Sequence, residues 1–459
     1  MNKEVGASRE VRVLAATGML GTGFSEASFN RALEWNPDVI GCDAGSTDPG
    51  PYYLGAGVPM SSREAVKRDL RIMIKGGLAK GIPVLVGSAG TAGGAPHVEW
   101  TVDIVKEIAA EEGLHFRLAE IQSEISGEKL IEYFRKGKMK PLHPAPAIDE
   151  SSLRRITRAV AAMGPEPYIK ALEEGAQVVI AGRSSDTAIY AAVPIMKGLN
   201  HGPTWHAAKI LECGAGSVEQ RLYPDCMMAW IGEDHFRVEP PNPEMKCTPV
   251  SVVSHTLYEN ADPFRLAEPS GVLDTSRATY HQDGERGVIV RASEFHHSPT
   301  YTVKVEGVQL AGYGQIAMGE IRDPVVIRQL DDFLNDAKNR IMEKVKTSLN
   351  LDRDSYRLHF RVLGDPRPSQ GRKESEAYGV GVVIEVLAET REKAAGIMAI
   401  AWHTALHHPV KEWSGLVSQI AFPYSPPNAD RGAVYQFCLN HVIEPDDPLE
   451  LFPITMTDL

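Results

Sequence analysis

Short runs of β-branched and small apolar residues recur along the first part of the chain. Each is followed by glycine or polar residues and then by a helical period. Val11–Ala15, Asp38–Cys42, Ile82–Val86, Phe116–Ile121 and Gln177–Ala181 are largely apolar runs of strand length, the pattern of strands buried on both faces. Between them, Ser61 and Glu64 have capping-box spacing ahead of Val66, Leu70, Met73 and Ile74, which share one helical face. His97–Glu112 and Glu166–Glu174 continue the alternation. The order predicts an α/β domain over residues 1–300, with an open, mostly parallel, Rossmann-like sheet and helices on both faces.

From about Arg221 the texture changes. Val250–Val253, Gly287–Ala292 and Tyr301–Val305 read as strands, so a β-rich segment is expected over 221–300. Beyond it, Gly314–Ile321 predicts a strand and Asp323–Leu349 a helix, with Asp323 as cap and Pro324 at its first position. Tyr356–Leu363 and Tyr378–Leu387 predict strands around a polar loop, Asp365–Glu376, which is expected to be disordered. Glu389–His407 predicts a helix and Ser418–Tyr424 a strand. This β-α-β-β-α-β order predicts a ferredoxin-like α+β domain over 301–459.

Composition narrows the function class. The 459 residues carry a formal charge of -12 and no long Lys/Arg run, which argues against nucleic acid as a partner. No apolar stretch approaches the roughly 20 residues needed to span a bilayer, and Met1–Glu10 is too polar for a secretory signal. The five cysteines form no CxxC pair. Reduced cysteines in a cytoplasmic protein are therefore expected, with no membrane partner and a homo-oligomer as the default assembly.

Candidate chemistry collects where each strand ends, because ligands of open parallel sheets bind outside the carboxyl ends. The five exits begin at Thr17-Gly18, Asp43–Tyr53, Gly87–Gly94, Gln122–Glu124 and Gly182–Thr187, and all are rich in small and hydrogen-bonding residues. Gly90, Gly93 and Gly94 let backbone amides approach an anion, and Gly18, Ser88, Gly90 and Thr91 are candidates for substrate binding; the alternative is that these glycines only make tight turns. Neither a Walker pattern nor GxGxxG is present. Asp43 and Asp48 flank a turn stiffened by Pro49-Gly50-Pro51, and they read either as ligands for a divalent metal such as Mg, with Asp48 also an acid–base group, or as loop caps. Arg183 reads as a clamp on a substrate carboxylate, or as half of an internal ion pair with Asp186 or Asp43. Ser184 and Ser185 read as hydrogen-bonding residues at a helix entry, and His97 as a general acid or base or a capping residue. His255, Tyr258, Glu259 and Arg291 are candidates for one wall of the pocket. His206 shares a short helical stretch with Glu212-Cys213-Gly214, where Cys213 reads either as a buried small hydrophobe or as a nucleophile.

Asp43–Gly55 resembles the most distinctive stretch of the acyclic terpene utilisation AtuA family. Gly87–Gly90, Gly182–Asp186, Leu211–Gly214, His255–Pro263 and Val303–Gly307 add to the resemblance, which covers nearly the whole chain. The resemblance implies a catabolic setting and, as in some members, a C-terminal ferredoxin-like domain; it implies no catalytic assignment. The residues predict a lyase or hydratase for a small carboxylate or an acyl thioester such as an acyl-CoA. Asp48, Asp186 or His97 would move the proton. The alternatives are a non-catalytic ligand-binding or assembly subunit, with a small partner subunit, and a hydrolase using Ser184 or Cys213.

Overall fold

The computed structural model describes residues 10–143, 145, 147–364, 379–412 and 418–459. The chain forms two compact units, Met1–Gln309 with Phe437–Leu459, and Leu310–Gln436. In the first unit Val11–Ala15, Val39–Asp43, Val84–Gly87, Val178–Ala181 and Arg117–Ile121 lie side by side in that order, all parallel. Antiparallel strands extend this centre to ten. Met227–Ile231, His235–Glu239, Gly287–Arg291 and Thr279–Asp283 continue from the first edge, and Ile454–Asp458 closes the other.

The central strands are buried on both faces because their side chains alternate between two apolar layers. Leu14, Ile40, Val84, Val86 and Ile180 meet Phe29, Val66, Leu70, Met73 and Val105 from the helices Glu26–Glu34, Arg63–Lys80 and Ala95–Glu112. Val13, Val39, Leu85, Val179 and Ile121 meet Tyr168, Ile189, Tyr190 and Trp205 from Glu166–Glu173, Ala188–Met196 and His201–Leu211. Each fully buried aliphatic side chain contributes about 1.5–3 kcal/mol. Both faces of the sheet are thereby closed, and the strand ends are left for a ligand.

Several expectations are corrected. Val250–Val253 is not a strand but part of the helix Pro249–Thr256, where Thr248 and Ser251 form a reciprocal capping box and Pro249 takes the first position. A four-residue apolar run fits either period, and here the cap decides it. The helix after Ser61 is capped at Ser62 without a side-chain bond, because the Ser61 hydroxyl donates instead to the Leu20 carbonyl at 3.3 Å. Asp323 does cap its helix, but that helix breaks at Gln329 into Pro324–Arg328 and Leu330–Leu349. Ser418–Tyr424 forms no strand; only Ala421 bridges Glu320. The boundary expected between residues 300 and 301 falls after Gln309, and Ile454–Asp458 pairs with Arg117–Ile121 of the first sheet rather than with the C-terminal strands. Most strands of the β-rich segment extend the large sheet, while Arg265–Glu268, Gly271–Asp274 and Glu294–His297 make a small sheet of their own. The loop Asp365–Glu376 lies outside the described residues.

In the second unit the helices Leu330–Leu349 and Arg391–His407 cover a sheet in which Val380–Ala388 pairs antiparallel with Tyr356–Leu363 on one side and with Tyr313–Ile321 on the other. Phe333, Ile341, Ile397 and Met398 pack on Val382, Ile384 and Val386. Asn428–Ile443 follows the second helix and lies next to Val303–Ile321 in strand order. No helix among the described residues is long and apolar enough to cross a membrane.

Candidate functional site

Two exits of the parallel sheet cross at a glycine. Gly93 has φ +68°, and a Cβ there would stand 2.1 Å from the Arg183 backbone nitrogen. An alanine at this position meets both a left-handed backbone and a backbone collision. Gly93→Ala is therefore expected to lose about 2–5 kcal/mol of unfolding free energy in a denaturant titration. Ser88, in the same exit as Gly93, takes φ 49° and is fully buried. The crossing puts Ser88 and Arg183 in contact although they are 95 residues apart.

Arg183 is the hub of a charged network. Its Nη1 donates to Ser88 Oγ at 3.1 Å, to the Ser184 carbonyl at 2.6 Å and to Asp186 Oδ1 at 2.8 Å. Its Nε lies 3.6 Å from Glu306 Oε2, and Lys304 Nζ lies 2.9 Å from the other oxygen of Glu306. Glu306 reaches this point because Val305–Val308 pairs antiparallel with Arg158–Ala161. Burial pushes the Glu306 carboxyl up, but Arg183 and Lys304 outweigh it and hold it below the usual range. Asp43 ends its strand 6 % exposed, and its Oδ1 has no hydrogen-bond partner among the described residues. Burial pushes the Asp43 carboxyl well up, the nearby charge of Asp186 adds to this, and Arg183 opposes it. Asp186 itself is 40 % exposed, so the network reaches solvent there.

Next to this network is a pair of hydroxyls on a buried acid. Ser185 Oγ and Thr187 Oγ1 each donate at 2.6 Å to one oxygen of Glu268, which is 6 % exposed. Burial pushes the Glu268 carboxyl up to about 7, although both hydroxyls and Lys209 favour its charged form. Lys209 Nζ lies 2.5 Å from Glu212 Oε1, with both side chains buried. Burial raises Glu212 against that pull. Glu212, Cys213 and His255 place one ligand atom each within 4.8 Å of one another, and among the described residues no other group of three His, Cys, Asp or Glu does so. Cys213 and His255 then line a cavity of about 780 Å³ together with Val218, Arg221, Thr248 and Tyr258.

The expected site residues divide accordingly. Asp43, Ser88, Arg183, Asp186, Ser184 and Ser185 are brought together. Asp48 is not: it is exposed, its Oδ2 accepts from Ser46 Oγ at 2.5 Å, and no described ion pair involves it. Among the described residues, no third His, Cys, Asp or Glu donor joins Asp43 and Asp48. His97 is fully buried; its Nε2 bonds the Val58 carbonyl at 3.1 Å, while its Nδ1 is buried with no hydrogen-bond partner among the described residues. Gly90 backs onto His97, and Thr91 Oγ1 accepts from the Met60 amide at 3.2 Å. Gly18 belongs to the other end of the site, where its Cβ would stand 2.6 Å from the Cys213 carbonyl oxygen.

The nucleophiles of the hydrolase reading are tied down. Ser184 Oγ shares a 2.6 Å hydrogen bond with Tyr168 and donates to the Gly182 carbonyl. Burial pushes the Cys213 thiol up to about 12. His206 is a core residue between Ser293 and Thr256. Arg291 pairs with Asp234, and it does not line the cavity walled by His255 and Tyr258.

Residues 63–218 and 238–421 match the family described as acyclic terpene utilisation family protein AtuA. The chain belongs to the AtuA family. No curated protein and no solved structure matches it. The AtuA match contains Ser88, Arg183, Asp186, Glu212, Cys213, His255, Glu268 and Glu306, whereas Asp43–Gly55 precedes it. The family is tied by that description to acyclic terpene utilisation, a catabolic setting. Sequence reasoning missed Glu268, Glu306 and Lys209 as site residues. Glu306 sat inside a segment already singled out for its likeness to AtuA proteins. For Glu268 the available signal was an acid at the inner end of a strand, beside a Pro-Ser-Gly turn.

Proposed function

We propose that this AtuA-family chain is a lyase of the hydratase or dehydratase type acting on a small carboxylate or its acyl thioester. The observation that carries the reading is Glu268, a buried carboxyl poised at about 7 and oriented by two hydroxyls beside the Arg183–Asp186 pair. A general base works best with a pKa near the operating pH. As a carboxylate, Glu268 takes the proton from the carbon next to the substrate carbonyl. The electron pair left behind forms the double bond. The same carboxyl then returns that proton to the departing hydroxyl, which leaves as water. The positive charge of Arg183 favours the substrate carboxylate or the developing enolate. The cavity beside Cys213 combines Val218, Val250 and Tyr258 with Arg221, Thr248 and Ser254, a mixed lining suited to an acyl chain with a polar head.

The test is a panel of hydroxy and unsaturated acids and their thioesters, followed by mass spectrometry for gain or loss of one water. Turnover is expected for the folded wild type, with a drop of about 10²–10⁴-fold in Glu268→Gln. A non-catalytic ligand-binding or assembly subunit is the second reading, favoured by the internal partners that already occupy Arg183. No turnover across the panel, with a fixed partner co-purifying from native extract, would select it. For the second unit we propose a ferredoxin-like fold, supported by its β-α-β-β-α-β order and by the pairing of its first and third strands.

A further inference from the structure

We propose that Glu212, Cys213 and His255 bind a zinc-type divalent metal ion at the cavity wall, leaving one coordination position open to the cavity. The three donors are a carboxylate oxygen, a sulfur and an imidazole nitrogen, brought within 4.8 Å of one another. A tetrahedral zinc ion with bonds of about 2.0–2.3 Å needs its ligands roughly 3.5 Å apart, so small side-chain rotations close the set. Mixed sulfur, nitrogen and oxygen donors favour zinc over magnesium, which prefers oxygen alone.

The fold presents these residues from two helix ends. Glu212 and Cys213 follow directly on His201–Leu211, and the chain then turns at Gly214, with φ 55°. The close approach of Gly18 to the Cys213 backbone fixes that turn against the exit of the first strand. His255 is in the last turn of Pro249–Thr256, the helix started by the Thr248–Ser251 capping box.

His255 is 7 % exposed, and its Nε2 is buried with no hydrogen-bond partner among the described residues. Leaving a buried polar atom unsatisfied is unfavourable. A buried imidazole nitrogen left unpaired is available as a lone pair for a metal ion. Lys209 Nζ holds one oxygen of Glu212, an outer-sphere contact that orients the carboxylate. Cys213 and His255 both line the 780 Å³ cavity, so a fourth position there is accessible to water or to a ligand carbonyl. Three protein ligands with one open position is the arrangement of catalytic rather than structural zinc.

Glu268 is outside the donor set, and metal binding is measured without any substrate, so the acid–base chemistry and the metal site fail independently. The full chain, purified under reducing conditions and stripped with a chelator, is titrated with Co²⁺ and then with Zn²⁺ against a chromophoric chelator. The expected result is one ion per chain with a thiolate-to-cobalt charge-transfer band in the near ultraviolet. Cys213→Ser should abolish the band. His255→Gln should weaken Zn²⁺ affinity by more than about 100-fold, beyond the effect of an outer-shell partner. Cys438→Ser, a free cysteine outside the donor set, should change neither. Circular dichroism confirms that each variant is folded. Should Cys213→Ser fail to fold, the wild-type cobalt spectrum decides alone. Absence of the thiolate band in the wild type, or affinity unchanged in folded His255→Gln, overturns the proposal.

Discussion

Arg183→Met is expected to lower the unfolding free energy by about 3–5 kcal/mol, the cost of breaking a buried ion pair by removing one partner. Methionine keeps much of the side-chain volume, so the loss is electrostatic rather than a cavity effect. It leaves Glu306 facing a buried space with only Lys304 for compensation, and it removes the donor to Ser88 and to the Ser184 carbonyl. The burden on Glu306 defines the control. In the double variant Arg183→Met with Glu306→Gln, part of the loss should return, because no unpaired carboxylate remains. Denaturant unfolding of the two single variants and the double measures this directly. A single-variant loss below about 1 kcal/mol would mean that the guanidinium is solvated and free for a ligand.

Glu268→Gln should act in the opposite direction on stability. Burial raises the folded-state carboxyl from 4.5 to about 7, so the native chain holds a proton that the unfolded chain has released. Between those two values native stability falls as pH rises, and the penalty is complete above about 7. At about 1.36 kcal/mol per pKa unit the full penalty is on the order of 3 kcal/mol. Glutamine keeps the shape and still bonds Ser185 and Thr187. The variant should therefore match the wild type near pH 4 and exceed it by that amount at pH 8. A group that costs the fold this much at neutral pH while supporting turnover is one maintained for chemistry rather than for stability. An unfolding free-energy difference that does not vary between pH 4 and pH 8 would remove Glu268 from the acid–base role.

The parallel centre was legible because both-face burial forces continuous apolar runs, and Val11–Ala15 was placed to the residue. The exits were legible because glycine is needed where chains cross, as at Gly93. Partners supplied by distant antiparallel segments were not. Glu268 meets Ser185 and Thr187 across 83 and 81 residues, and nothing in local periodicity couples a strand-end acid to a loop that far upstream. The Asp43–Asp48 turn misled for a local reason. Its Pro-Gly-Pro rigidity is real, but Ser46 satisfies Asp48 on the outside, while Asp43 alone points inward. Val250–Val253 misled because a short apolar run has no period of its own, and the deciding signal was the Thr248-Pro249 start.

The central claim is that a buried carboxyl in this AtuA-family chain is poised to exchange a proton near neutrality. Difference infrared spectroscopy of the folded protein across pH 5–9 measures it. A protonated-carboxyl band should fade with a midpoint near 7 in the wild type, and that component should be missing in Glu268→Gln. The same band unchanged in Glu268→Gln, or no carboxyl titrating above pH 6, would contradict the assignment.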